Sequence, residues 1–459
     1  MSCHDMARIL SLERLSRSMW RSKYITSRGK IVIRRVYKSQ FIFPIKHLFD
    51  NTMDGIHYTM TTGRELPRLK VNKDKVNVLC VIRDMTLGGA ERVMLNIVKG
   101  LDKEKYDFHL VATYRDNAWA NKFAPFFKNI IVMEKRPVNQ KFFNLFMNQV
   151  VEKLDIDILF TYNAAKGYRY LPSLKKHFLR VVTFDIMHAE ESEGARIEFI
   201  DYAEYLDKRV CISKHLKNYL ASRYMEKGIS ELYNPKLLVI YNGIDITPFL
   251  NGVNLQGQFK ERMKIRPDVK IITFIGRITS EEKNPELFIS VAQRFLSMTE
   301  RDDVLFVMAG DGPDLLKCKN IITQHGLNKQ FIFTGVLDDK GVIELLADSE
   351  IMLVTSHNEG IPFTILESMA MKVPVISTDV GAIHEVIRDE ETGFLVVVDQ
   401  FMVDSFIDKI NHLLSNSDVR ELIADNAFHD IISKYTLNSM VSEYQNLFKE
   451  LCSEKSKHK

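Results

Sequence analysis

An α/β fold with doubly wound parallel sheets is predicted by three features of this 459-residue chain. Between about residue 270 and residue 396, short apolar segments alternate with amphipathic helical ones, the pattern of βαβ units. Charged residues and glycines recur just after those segments, at the carboxyl ends of the strands, where ligands of such sheets bind. The length, with 46% hydrophobic residues, allows two cores to be buried, so two or three domains are expected.

Taken in order, Val78–Ile82 reads as the first strand, followed by the loop Leu87-Gly88-Gly89-Ala90-Glu91-Arg92. A helical pattern then runs through Val93, Met94, Ile97, Val98 and Leu101. Two glycines alone describe any tight turn. Val181–His188 reads as a strand ending in a histidine, and Arg209–Ser213 and Val239–Asp245 as the last strands before a hinge. A lone histidine after a strand is often structural, and no metal-ligand set accompanies this one. Phe274-Ile275-Gly276-Arg277 is a strand end, with Lys283 six residues further on. That spacing puts a guanidinium and an ammonium at one strand mouth, which suits a diphosphate because Arg can bind two oxygens at once. Phe306–Pro313, Phe331–Gly335, Ile351–Val354, Pro374–Ser377 and Gly393–Val396 complete the second series of strands. Leu437, Met440, Val441, Tyr444, Leu447, Phe448 and Leu451 lie at helical spacing near the C-terminus.

The most informative stretch is Glu359-Gly360-Ile361-Pro362-Phe363-Thr364-Ile365-Leu366-Glu367. It joins an apolar strand to the helical run Leu366–Met371, and free N–H groups at a helix start attract phosphate or sugar oxygens. Its two carboxylates are eight positions apart, so one sits in the loop and the other one to two turns inside the helix. Gly360 allows close backbone approach, and Pro362 suits a first helical turn. Taken alone, the segment reads equally as an ordinary βα turn with two solvated glutamates. The Arg277–Lys283 pair and the Gly335–Leu337 turn, which also follow strands, favour a shared crevice.

From about Val76 to its C-terminus the chain resembles the retaining family 4 glycosyltransferases of the GT-B fold. The likeness rests on Gly276-Arg277…Lys283 and the Glu-x7-Glu signature at Glu359 and Glu367, and it suggests the bacterial surface-polysaccharide type. It implies two Rossmann-like domains facing a central cleft and a C-terminal helix that crosses back to the first. By resemblance, Arg277 and Lys283 hold the donor diphosphate and Glu367 the ribose hydroxyls. Glu359 and the backbone of Gly360, Ile361 and Pro362 hold the transferred sugar, and the backbone near Leu337 reads the nucleobase. Gly88 and Gly89 form a loop closing over the donor, and His188 stands beside the sugar. Asp185 departs from the pattern, standing where many relatives have a histidine, so the histidine role is assigned to His188.

Other motifs are discounted. Asp155-Ile156-Asp157 spells a metal-binding DxD but leads into Ile158-Leu159-Phe160, so it reads as a strand cap. Gly310-Asp311-Gly312 lacks the third glycine of a dinucleotide fingerprint, since position 315 is Leu. No Gly-x4-Gly-Lys-Ser/Thr phosphate loop and no HExxH occur. Cys3, Cys80, Cys211, Cys318 and Cys452 show no paired spacing, which suits a reducing cytosol. The net charge of +4 divides unevenly: residues 1–50 carry eleven Lys/Arg and three Asp/Glu. No apolar run follows these charges to make a signal peptide, and none is long enough to span a bilayer. Basic residues mixed with Ile, Val, Phe and Tyr over 31–46 suit attachment to an anionic membrane face, or equally a solvated or packed extension. Nothing supports nucleic-acid binding.

The expected organisation is a basic extension (1–75), an acceptor domain (76–245), a donor domain (246–432) and a crossover helix (433–459). The expected activity is retaining transfer of a hexosyl- or N-acetylhexosaminyl-type sugar from a nucleotide diphosphate sugar, UDP-sugar favoured, to a glycan or lipid-linked acceptor. No metal or cofactor is expected; arginine, lysine and backbone amides would stabilise the leaving group. The expected location is cytoplasmic, peripheral on the inner face of the cell membrane. An epimerase, a phosphorylase or a catalytically silent subunit of a synthase complex is the alternative.

Overall fold

The computed structural model describes residues 52–53, 56–61, 69–85, 89–114, 120–133, 139–188, 190, 198–299 and 301–457. Two sheets organise them. The first contains, among the described residues, nine strands in the order β1-β2-β5-β4-β3-β6-β7-β8-β9. These are β1 (Thr52–Met53), β2 (Ile56–Thr61), β3 (Val76–Ile82), β4 (Tyr106–Ala112), β5 (Asn129–Met133), β6 (Ile158–Tyr162), β7 (Val182–Met187), β8 (Lys208–Cys211) and β9 (Leu237–Val239). The second has the order β12-β11-β10-β13-β14-β15. Its strands are β10 (Lys270–Ile275), β11 (Val304–Ala309), β12 (Phe331–Gly335), β13 (Ser349–Val354), β14 (Val375–Thr378) and β15 (Phe394–Val396). All pairings are parallel except β1 with β2. In both sheets the order reverses beside the first strand of a Rossmann-like unit, at β3/β6 and at β10/β13. The fold is therefore α/β with two such units, and each reversal opens a crevice at the strands' carboxyl ends.

Burial follows the periodicities of the sequence. Val78–Val81 are completely buried, as expected of a parallel strand covered on both faces. In the second unit, Phe288, Val291 and Phe295 pack with Phe406 and Ile410 on one face of the sheet. Ile365, Leu366 and Met369 pack with Ala427 and Ile431 on the other. The helix Leu437–Lys457 sends Met440, Tyr444, Leu447, Phe448 and Leu451 into the core of the first unit. Phe448 meets Tyr106 and Phe184 edge-on, with ring centroids 5.3 and 5.5 Å apart.

The structure corrects three boundaries read from sequence. The first sheet begins upstream of Val76, inside the stretch read as an extension: β2 pairs with β5 from His57↔Asn129 to Thr61↔Met133. Its partner lies some seventy residues away, so no local pattern reveals the pairing. The last strand of this sheet is Leu237–Val239, not Val239–Asp245. The residues after it form a chain crossing, in which Ile244 N–H donates to the Tyr435 carbonyl (2.9 Å) and Leu437 N–H to the Ile244 carbonyl (2.7 Å). Pro362 takes the N-cap position, extended at φ −67° and ψ 132°, so the helix runs Phe363–Ala370. No helix among the described residues is long and apolar enough to cross a membrane. Most of the basic segment, residues 1–51, lies outside the described residues, as does Gly88.

Candidate active site

The turns after β10, β11 and β12 are stitched together by their backbones. Gly276 N–H donates to the Ala309 carbonyl (3.0 Å), Ile278 N–H to the Asp311 carbonyl (2.9 Å), and Gly310 N–H to the Gly335 carbonyl (2.8 Å). The Gly310-Asp311-Gly312 turn thus braces the loop carrying Arg277. Arg277 is exposed at the mouth of β10, while Leu337 sits half-buried in the turn after β12. Lys283 follows on a turn closed by its own N–H to the Thr279 carbonyl (3.0 Å) and anchored by the Thr355 hydroxyl, 3.1 Å from the Lys283 carbonyl.

Glu359, in the loop after β13, ion-pairs with Lys283 through Oε1, which also accepts from the Ser356 hydroxyl at 2.7 Å. Its backbone is fixed by Gly381: a Cβ there would lie 1.9 Å from the Glu359 carbonyl oxygen, and φ is +54°. Only glycine fits both demands. Glu367 stands in the second turn of Phe363–Ala370 and is buried. Burial raises its carboxyl above the ordinary value, opposed by Arg92, whose Nη1 is 3.1 Å from Oε1.

The first unit supplies the opposite wall. His188 follows β7, and a Cβ on Gly360 would lie 2.5 Å from its carbonyl oxygen and 2.9 Å from Ile212 Cδ1. The absence of a side chain at Gly360 therefore lets the two walls meet. The His188 ring is hydrogen-bonded through Nε2 to the Tyr162 hydroxyl (2.6 Å), and burial pushes its pKa down to about 4. The ring is neutral at pH 7, so it can orient a polar ligand or tolerate positive charge but has no proton to spare as an acid. Gly89 opens the helix Gly89–Gly100 and approaches Phe363 of the second unit, whose Cδ2 would be 3.4 Å from an added Cβ.

Asp185 faces inward rather than into this cleft. It is completely buried and accepts from Arg209 Nε (3.0 Å to each oxygen), Arg209 Nη2 (2.7 Å) and the Tyr168 hydroxyl (2.8 Å). The departure from the family pattern is thus a core ion pair between neighbouring strands. Asp155 and Asp157 lie at the amino end of β6, away from the carboxyl-end cleft; Asp155 pairs with Arg180, and Asp157 accepts from Asn77 N–H (3.0 Å). No cluster of three or more metal-ligating side chains occurs among the described residues.

The structure gathers Lys283, Glu359, Gly360 and His188 at one place, with Glu367 and Gly89 along the same interface. Sequence reasoning passed over Arg92, Ser356, Tyr162 and Glu385. Glu385 accepts from the backbone N–H groups of Lys214 (2.9 Å) and His215 (2.5 Å) and from the Tyr241 hydroxyl (2.7 Å), joining the two units. Beside it opens a cavity of about 510 Å³ whose lining includes Glu190, Lys214, His215 and His384. Of these residues, only Arg92 stood in a quoted motif; the rest carry no local signal.

Comparison with known proteins agrees with this architecture. Residues 87–247 match the family model described as Glycosyltransferase Family 4, and residues 256–430 the one described as Glycosyl transferases group 1. The chain belongs to the glycosyltransferases of the GT-B fold. More particularly, it joins the two domains those descriptions name. It is 23% identical over 400 residues to the UDP-Gal:alpha-D-GlcNAc-diphosphoundecaprenol alpha-1,3-galactosyltransferase of Escherichia coli, covering 83% of this chain and 98% of that one. Two other curated relatives are matched over only about half their length. An uncharacterised glycosyltransferase of Methanocaldococcus jannaschii is 28% identical over 235 residues, covering 50% of this chain and 58% of that one. The alpha-D-kanosaminyltransferase of Streptomyces kanamyceticus is 29% identical over 197 residues, covering 43% and 49%. Among solved structures, a glycosyltransferase from Rickettsia africae superposes with a TM-score of 0.69 at 21% identity, covering 82% of this chain and 99% of that one. Anabaena HepE in complex with UDP and glucose gives 0.68 at 16% identity, covering 82% and 100%. Those structural likenesses show the fold.

Proposed function

We propose that this protein transfers a sugar from a nucleotide diphosphate sugar, UDP-sugar favoured, to a hydroxyl of a glycan or lipid-linked acceptor, with retention at the anomeric carbon. The single observation that carries the reading is the meeting of Lys283, Glu359, Gly360 and His188 where the carboxyl ends of two parallel sheets face each other. The donor diphosphate takes Lys283 away from Glu359 and is also met by Arg277. Glu359, released from its ammonium, then accepts from sugar hydroxyls together with the backbone of Gly360, Ile361 and Pro362. Glu367 accepts from the ribose hydroxyls, and the turn at Leu337 reads the base. The loop of Gly88 and Gly89 closes over the donor.

Leaving-group charge is stabilised by the two cations and backbone amides, so no metal or cofactor is required. The neutral His188 ring and its carbonyl tolerate the oxocarbenium-like transition state. The diphosphate itself takes the acceptor proton in a front-face reaction. The acceptor enters over the first unit, and the cavity beside Glu190 and His215 gives it room. The relative of Escherichia coli, named for a diphosphoundecaprenol acceptor, supports a lipid-linked substrate; a role in cell-surface polysaccharide synthesis at the inner face of the membrane belongs to the same proposal.

A thermal-shift and hydrolysis screen over UDP-, GDP- and ADP-sugars tests the reading. One donor class should stabilise the protein and be slowly hydrolysed, in EDTA as in buffer, with the α or β configuration kept. No shift and no hydrolysis with any donor would refute it. Conversion of the donor into its epimer without acceptor would favour an epimerase, and binding without turnover a silent subunit.

A further inference from the structure

A guanidinium from the first unit and a carboxylate from the second meet across the cleft, and the reading above uses only the carboxylate. Arg92 lies in the first turn of Gly89–Gly100. Its Nη1 is 3.1 Å from Glu367 Oε1, its Nη2 is 3.7 Å from Asp339 Oδ1, and its Cζ lies 5.7 Å from the centre of the Phe363 ring. All three contacts are to the opposite unit. Glu367 is 7% exposed, on a helix whose neighbours Ile365, Leu366, Ser368 and Met369 are fully buried. A carboxylate so placed keeps its charge only beside a cation. Asp339, the other charged group near it, works in the opposite direction.

We infer that Arg92 is a positioning residue of the donor site: from the opposite domain it holds the Glu367 carboxylate ionised and aimed, so that the ribose is read fully only when the cleft is closed. The inference rests on the proposed placement of the ribose at Glu367. A carboxylate offers about four acceptor sites, enough for one guanidinium N–H and two ribose hydroxyls together. Without Arg92 the buried carboxyl loses the cation beside it, is protonated more readily and becomes a weaker acceptor. Raising the pH removes that proton and restores the acceptor.

The test is titration calorimetry on the full chain, using whichever of UDP, GDP or ADP binds tightest, beside its 2′-deoxy counterpart, from pH 6 to pH 9. The wild type should prefer the ribose form by about tenfold throughout, the worth of one charge-assisted hydrogen bond. In Arg92→Ala the preference should fall below about threefold at pH 6 and be larger at pH 9, the direction expected of a buried carboxyl that has lost its cation. Arg92→Gln, which keeps most of the stem, should behave alike and serves if the alanine variant does not fold. Arg92→Lys should keep a flat profile. Glu367→Gln should lose the preference at every pH. An Arg92→Ala protein that keeps the full preference at every pH overturns the inference. So does one that weakens both nucleotides equally without pH dependence, or a wild type that shows no preference. A wild type that binds none of the three nucleotides overturns the proposed function itself.

Discussion

Replacing Asp185 with Asn should destabilise the first unit severely, although the side chain is not in the cleft. Asp185 and Arg209 are register partners on adjacent parallel strands, with side chains 0% and 1% exposed. The carboxylate receives two Nε contacts at 3.0 Å, one Nη2 contact at 2.7 Å and the Tyr168 hydroxyl at 2.8 Å. Asn keeps the shape but removes the counter-charge, so a guanidinium stays buried without it. Breaking such a pair from one side costs about 3–5 kcal/mol. Removing both charges with Asp185→Leu and Arg209→Met together should cost less than the single change, because no buried charge is left uncompensated. Urea unfolding followed by circular dichroism reads both effects; with Asp185→Leu and Arg209→Met also measured singly, the double variant's change less the sum of the two single changes gives the coupling. A single variant that loses less than about 1 kcal/mol, or a double variant worse than the sum of its parts, would refute the assignment of Asp185 to the core.

Three further outcomes are expected. Lys283→Ala should lower transfer about hundredfold, or about 2.7 kcal/mol at 1.36 per tenfold, with little change in melting temperature; near-normal turnover would count against the diphosphate role. Gly360→Ala should force apart the loop and the His188 carbonyl, which an added Cβ would approach to 2.5 Å, costing turnover about a hundredfold if the shift nears 1 Å while nucleotide binding persists. Deleting residues 1–50 should abolish salt-sensitive co-sedimentation with anionic vesicles, to which each basic residue near the surface adds about 1 kcal/mol. Deleting residues 1–70 should also lower the melting temperature, because it removes β1, β2 and the Lys70 backbone bonds to Asn129. Equal sedimentation of full-length and shortened chains would set the membrane reading aside.

The alternation of buried strands and amphipathic helices over residues 270–396 was legible because its signals are local. Each strand of the second sheet announces itself by a short apolar run, and the Glu359-to-Glu367 junction by its own strand–loop–helix pattern. The same locality explains what was misread. Ile56–Thr61 becomes a strand by pairing with Asn129–Met133, and Ile244 is held outside the sheet by bonding Tyr435 and Leu437; neither partner is a neighbour in sequence.

By itself, then, the sequence determined the α/β class, the strands of the second sheet and the charged residues at their ends. Periodicity and turn chemistry act within a few residues and need no knowledge of the rest of the chain. Tertiary structure alone decided that Arg92 meets Glu367 across 275 positions, that Lys283 pairs with Glu359, and that Asp185 belongs to the core. It also decided that Gly360 touches the His188 carbonyl. Such pairings depend on which faces pack together and how closely the two sheets approach, and those distances exist only once the chain has folded.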